Sequence, residues 1–78
     1  MTEVVLYSRP GCHLCEVARD VIEQVRAEVP FDLLEVDVGS QDALEREYGI
    51  RIPVVVIDGT EAFEYEVDAS VLRSLLDR

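Results

Sequence analysis

Cys12 and Cys15 are the only cysteines in the chain, and they stand three positions apart. The apolar run Val4-Val5-Leu6-Tyr7 before them reads as a strand, Ser8-Arg9-Pro10-Gly11 reads as a turn, and a helical pattern follows. On a helix, residues three apart rise about 4.5 Å and lie nearly above one another, about 5 Å between Cα atoms. That separation falls within the roughly 4.4–6.8 Å that a disulfide tolerates. The pair is therefore spaced to close into a disulfide and reopen, a two-electron exchange. The first cysteine meets unpaired N–H groups and the positive end of the helix dipole, which stabilise a thiolate. Arg9 and His13 add positive charge that would tune its pKa, and Gly11 leaves its sulfur uncovered. Cys15, one turn further in, faces more protein and less water. Cys12 is accordingly the expected nucleophile and Cys15 the expected resolving thiol.

Other readings of the pair fit less well. A closed zinc site needs about four ligands, and the chain has two cysteines and one histidine, with His13 between them. No metal is expected in a single chain. Two inert core cysteines are the plain alternative, since cysteine often serves as a small buried residue; the strand–turn–helix setting argues against it. His13 reads equally as an exposed residue with no role, and Tyr7 equally as site lining or core. Ile52-Pro53, at the head of a later apolar strand, could be cis and present backbone to an extended peptide, or could be a trans proline marking a strand start.

The elements that must hold these residues follow from periodicity. A first strand spans roughly Glu3 to Tyr7, apolar enough to be covered on both faces. The first helix runs from about Cys12 or His13 to Glu28, with Leu14, Val17, Ala18, Val21, Ile22, Val25 and Val29 as its inward stripe, and Pro30 ends it. A second strand, Phe31 to Val38, sets Leu34, Val36 and Val38 against Glu35 and Asp37, and the helix between the strands implies parallel pairing. Ser40 or Asp42 should cap a short helix ending at a left-handed Gly49. Val54 to Ile57 makes a third strand. Asp58-Gly59 is a hairpin turn, and Ala62 to Val67 alternates as a fourth strand whose acidic side chains protect an edge. Asp68 or Ser70 starts a last helix with Val71, Leu72, Leu75 and Leu76 inward and Arg73 and Arg78 near its negative end. The order is βαβαββα.

Seventy-eight residues, 49% of them hydrophobic, make a single domain, residues 1–78, able to fold without staples. The net charge of −10 comes from 17 acidic and 7 basic residues, all seven of them arginine. Such a surface repels nucleic acid and anionic membrane and favours neutral or positively charged partners. The start, Met1-Thr2-Glu3, carries neither a basic region nor a separate apolar segment. A reducing cytoplasm is the expected compartment.

Together, the Leu-Tyr-Ser-Arg-Pro-Gly-Cys-His-Leu-Cys run and Ile52-Pro53 about forty residues later resemble the glutaredoxin branch of the thioredoxin-fold family, over essentially the whole chain. The resemblance implies an α/β fold: a four-stranded mixed sheet of order 2-1-3-4, with helices on both faces and the third strand antiparallel to the first. It also implies a cis Pro53 beside the Cys12 sulfur. Its substrate-facing residues would be Gly11, Leu14, Arg51, Ile52 and Pro53. Typical dithiol relatives carry Cys-Pro-Tyr-Cys, whereas His13 and Leu14 stand here. They also have a Gly-Gly segment that holds glutathione, and here the corresponding stretch is Tyr65-Glu66-Val67-Asp68. Only Asp68 or Ser70 could stand in as a glutathione contact, with Arg9 and Arg51 able to meet its carboxylates.

The expected activity is thiol–disulfide exchange on protein or small-molecule disulfides by a monomer without an organic cofactor. Glutathione is a candidate co-substrate, though a poor one for so acidic a protein, and a flavoprotein thioredoxin-type reductase is the other candidate donor. The alternative is a non-catalytic thioredoxin-fold module that binds a soft metal ion, or an Fe–S cluster across a dimer.

Overall fold

A computed structural model describes residues 2–76 of the chain. Strand β1, Glu3–Ser8, buries Val4, Leu6 and Ser8 on one face and half-buries Val5 and Tyr7 on the other. It lies inside the sheet, parallel to β2 (Asp32–Asp37) and antiparallel to β3 (Val54–Ile57). β4 (Thr60–Glu64) pairs antiparallel with β3, so the sheet order is 2-1-3-4. The expected fold class therefore holds, with one addition, a 3-10 turn at Val38–Ser40 after β2.

Helix α1, His13–Glu28, buries Cys15, Ala18, Ile22 and Val25. Ala18, Ile22 and Val25 pack with Val4, Leu6 and Val55 of the sheet and with Leu72 and Leu76 of the last helix, α3 (Ala69–Leu76). Burying each such aliphatic side chain is worth about 1.5–3 kcal/mol, so this one layer dominates the stability of the fold. The short helix α2, Asp42–Tyr48, lies on the other face. Its Tyr48 ring stacks on Tyr7 with centroids 4.0 Å apart and planes 15° from parallel. Tyr7 is thus packed against α2.

Several details depart from the periodic reading. Leu33, not Leu34, packs against the core. Leu34 is registered with Val5 on the α2 side, where it stays 55% exposed. A helix of seven residues spans about 10 Å and a six-residue strand about 20 Å, so α2 covers only half of that face. On α1, Leu14 and Val17 lie at the edge of the stripe and remain exposed, because Cys15 takes the central position. Val71 of α3 is likewise exposed.

β4 begins and ends earlier than its alternation suggests. Asp58 and Gly59 have φ of 48° and 86°, the two left-handed positions of a two-residue hairpin turn. A register shift follows, with Val55 opposite Phe63 but Val56 opposite Glu61, which bulges Ala62 and resets which side chains face inward. The strand stops at Glu64 because Tyr65 turns to φ 69°.

Gly49 is right-handed, at φ −55°, so its expected left-handed role is not the one it plays. A Cβ there would sit 2.4 Å from the Glu45 carbonyl oxygen, and close approach is what requires glycine. The N-cap of α2 is Gln41, without a side-chain bond. Asp37 instead caps the 3-10 turn through Gly39 N–H at 2.8 Å, and Ser40 Oγ donates to the Asp37 carbonyl at 2.7 Å. Arg73 pairs with Glu28 of α1 at 2.7 Å, while Arg78 lies outside the described residues.

Adjacent leucines on opposite faces give a direct test. Ile22→Ala should cost about 2–5 kcal/mol in urea unfolding, and Leu34→Ala no more than about 0.5 kcal/mol. Leu33→Ala should fall between them. A larger loss at Leu34 than at Leu33 would refute the observed facing of β2.

Candidate active site

The junction between β1 and α1 brings the two cysteines together. Gly11 has φ +80°, a conformation that side chains disfavour, and this lets the chain turn from strand to helix. The next residue, Cys12, is the N-cap of α1, extended at φ −85° and ψ 113°. N-caps are ordinarily oxygen-bearing residues; here the Cys12 Sγ accepts the Cys15 N–H at 3.4 Å. Cys12 N–H donates to the Arg9 carbonyl at 3.2 Å, which closes the turn beneath it. A sulfur in this position faces the free N–H groups of the first helical turn, the part of a helix that favours negative charge.

Both cysteines are free, Cys12 partly exposed and Cys15 only 1% exposed. Burial pushes the Cys15 thiol up to about 11; its hydrogen bond with Cys12 and the charge of Glu35 add to this, and a backbone hydrogen bond from Arg9 opposes it. At neutral pH Cys15 is therefore a protonated, sheltered thiol beneath an accessible sulfur.

The remaining predicted site residues have varied surroundings. His13 is 85% exposed at its side chain, with Nδ1 3.8 Å from Glu16. Arg9 is paired with Glu45 of α2. Arg51 is more heavily engaged: its Nη1 donates to Glu61 at 2.7 Å and Glu64 at 3.1 Å, and Nε and Nη2 donate to the Glu47 carbonyl. Its guanidinium also lies 5.4 Å from the Tyr48 ring centroid. Arg51 thereby ties α2 and β4 to the segment before Pro53. The Ile52–Pro53 bond is cis, as expected, and the Pro53 carbonyl accepts Tyr65 N–H at 2.8 Å. Asp68 Oδ1 accepts from Ser70 N–H at 2.9 Å and Val71 N–H at 3.2 Å, so it is the N-cap of α3.

Two features escaped the sequence reading. Glu35 lies in register with buried Leu6 and so on the α1 side of β2. There it accepts from the buried Ser8 hydroxyl at 2.9 Å and pairs with Arg19 of α1 at 3.3 Å. The phase of β2 sets this position: with Leu33 inward, Glu35 faces the same side. The other is Tyr65, in the stretch where relatives carry glycines. It adopts φ 69° itself, and Glu66 N–H bonds back to the Glu64 carbonyl at 2.8 Å in a tight γ-turn. No group of three His, Cys, Asp or Glu side chains is placed to hold a metal ion among the described residues. No helix among them is long and apolar enough to cross a membrane.

The raised Cys15 pKa has a definite sign. Its protonated form is favoured by folding, so that stability is complete below about 9.0 and is lost as pH rises toward about 11. Unfolding measured from pH 8 to 11 should show a decline in the native protein that Cys15→Ala reduces. Equal slopes would refute the burial of Cys15. For Asp68, loss of the cap predicts that Asp68→Ala costs about 0.5–2 kcal/mol while Asp68→Ser retains most of the stability. Equal losses in the two variants would show that the cap contributes nothing.

Comparison with known proteins agrees with this architecture. Residues 3–77 match the glutaredoxin-like domain family (DUF836). An uncharacterized protein of Mycobacterium tuberculosis is 33% identical over 81 residues, covering 97% of this chain and 84% of its own length. The structural genomics target XcR50 from X. campestris is 34% identical, covers 95% of each chain and superposes with a TM-score of 0.79. A thioredoxin from Halobacterium salinarum, 23% identical, covers 97% of this chain and 72% of its own with a TM-score of 0.71, which shows the shared thioredoxin fold. A sheet of order 2-1-3-4 with its cysteine pair at the head of α1, matched along nearly its full length, places this chain in the glutaredoxin-like domain family.

Proposed function

We propose that the protein is a thiol–disulfide oxidoreductase that uses Cys12 as nucleophile and Cys15 as resolving thiol. The observation that carries this reading is the asymmetry of the pair: Cys12 Sγ caps the helix and accepts an N–H at 3.4 Å, while Cys15 is 1% exposed. The Cys12 thiolate attacks one sulfur of a substrate disulfide, forming a mixed disulfide and expelling the first substrate thiolate, which takes a proton. Cys15 then loses its proton and attacks the Cys12 sulfur. This releases the second substrate thiol and leaves a Cys12–Cys15 disulfide. Two electrons pass from the dithiol to the substrate, and a donor dithiol returns them.

The Cys15 pKa of about 11 supports the order of events, because an unassisted buried thiol does not compete for the first attack at neutral pH. Ile52, ahead of Pro53, offers main chain to an extended substrate. Arg9 lies beside the helix start, paired with Glu45, and His13 opens α1 with its side chain exposed. The protein acts as a monomer in a reducing, cytoplasmic setting.

Glutathione is the weaker donor in this reading, and a flavoprotein thioredoxin-type reductase the better one. Glutathione is an anion, and the chain carries −10 overall. Arg9 and Arg51 already serve Glu45, Glu61 and Glu64, and Asp68 already caps α3.

Cys12→Ser should abolish disulfide reduction, and Cys15→Ser should accumulate a mixed disulfide visible by mass spectrometry. Faster alkylation of Cys15 than of Cys12 at neutral pH would overturn the assignment. A coupled turnover assay comparing the two donors tests the second statement: glutathione should be at least about ten-fold slower, and less so at high salt. Rapid, salt-insensitive turnover with glutathione alone would return the chain to glutathione-dependent chemistry.

A further inference from the structure

A cavity of about 500 Å³ opens between α1 and the segment joining β4 to α3, starting from Leu14 between the two cysteines. One wall is Leu14, Val17 and Val21, one side of α1. The other is Phe63, Tyr65 and Val67. Leu14, Val17 and Tyr65 are 48%, 45% and 47% exposed, so the groove collects large apolar side chains that the core leaves uncovered. Clustered exposed apolar surface marks a place where something docks.

The second wall is built under strain. Tyr65 is a non-glycine residue at φ 69°, where side chains are disfavoured. The surrounding bonds hold it there: its N–H to the Pro53 carbonyl at 2.8 Å, Glu66 N–H to the Glu64 carbonyl at 2.8 Å, and its hydroxyl to the Ile50 carbonyl at 3.4 Å. Such strain persists where the surroundings over-determine it, commonly at binding sites. Its effect here is to set an aromatic ring in the groove wall, tied by backbone to the Pro53 segment.

The rim has one sign of charge. Glu64, Glu66 and Asp68 line the groove, and no basic side chain does. Glu64 is met from outside the groove by Arg51, but Glu66 forms no ion pair among the described residues. The cavity on the opposite side of the helix start differs: it holds Arg9 and Arg19 as well as acids, and both arginines are paired. A second copy of the chain, itself at −10, is a poor occupant of an acidic rim.

We propose that this groove selects disulfide substrates in which an aliphatic or aromatic residue lies next to the reactive cysteine and an arginine or lysine lies beyond it, in an extended segment of a basic protein. This rests on the oxidoreductase reading and names its substrate class. The apolar residue seats between Leu14 and Tyr65, and the cation meets Glu66 at the rim.

The test uses peptides of equal length, each carrying one disulfide: apolar–basic, apolar–acidic and serine–basic versions, together with a small neutral disulfide. At low salt the apolar–basic peptide should be reduced about ten-fold faster in kcat/KM than the apolar–acidic one, and the gap should narrow at high salt. Glu66→Gln should move the basic-to-acidic ratio toward one, and Glu66→Lys should invert it. Val17→Ser should reduce the preference for the apolar–basic over the serine–basic peptide. A cysteine-free apolar–basic peptide, titrated by NMR, should shift the amides of Val17, Tyr65 and Glu66. Turnover of the neutral disulfide with equal peptide rates, or ratios unmoved by Glu66→Lys, overturns the groove proposal and leaves the oxidoreductase reading standing. Binding at those amides with the charge preference intact, but no turnover of any disulfide, upholds the groove and overturns the activity.

Discussion

The packing of the first turns of α1 onto the sheet is the constraint from which the site follows. Cys15 and Ala18 are buried on the sheet side, with Ile22 and Val25 continuing the same line into the core. With that line fixed, the helix cannot rotate, and the N-cap sulfur of Cys12 is held partly exposed above a sheltered thiol. Rotating α1 by one residue's angle, about 100°, would bury Leu14 or Val17 and expose Cys15, equalising the two sulfurs. The difference in exposure between the two sulfurs is thus a consequence of core packing.

Charge is organised along similar lines. Among the described residues, Arg9, Arg19, Arg26, Arg51 and Arg73 each pair with a carboxylate, and most of these pairs join different elements. Exposed pairs of this kind contribute little stability individually. Their larger effect is to consume the positive charge inside the molecule and leave the acidic excess facing outward. Arg51 shows this most fully, since its guanidinium bridges Glu61, Glu64 and the Glu47 carbonyl around the segment leading to Pro53. What remains beside the cysteines is an apolar groove with an acidic edge.

Residue type and backbone requirement disagree at Tyr65 and at Gly49. Tyr65 occupies a left-handed position without being glycine, whereas Gly49, a glycine at a helix end, is right-handed and is needed only because Glu45 leaves no room for a Cβ. Composition rules assign left-handed turns to glycine because they weigh intrinsic backbone cost alone. Tertiary hydrogen bonds to the Pro53 and Ile50 carbonyls outweigh that cost at Tyr65. The phase of β2 was hidden for a related reason. Leu34, Val36 and Val38 alternate against Glu35 and Asp37 and favour the wrong phase, and only the pairing with Val4 and Val5 decides that Leu33 faces the core.

The sequence by itself determined the element order, the parallel pairing of β1 with β2, the hairpin of β3 with β4, and the meeting of Cys12 and Cys15 at a strand-to-helix junction. These follow from local periodicity, turn residues and fixed covalent spacing, which need no distant partner to be read. It also determined that the surface would be strongly acidic. The tertiary structure alone decided which arginines are already engaged across elements, that Glu35 and Ser8 stand beneath the helix start, and that Leu14 and Val17 face Tyr65 across a groove. Each of these depends on contacts between segments far apart in the chain, where small rotations of a helix or a one-residue bulge in a strand change which side chains meet. Local sequence rules carry no information about those rotations, because they are set by how volumes fill the shared core.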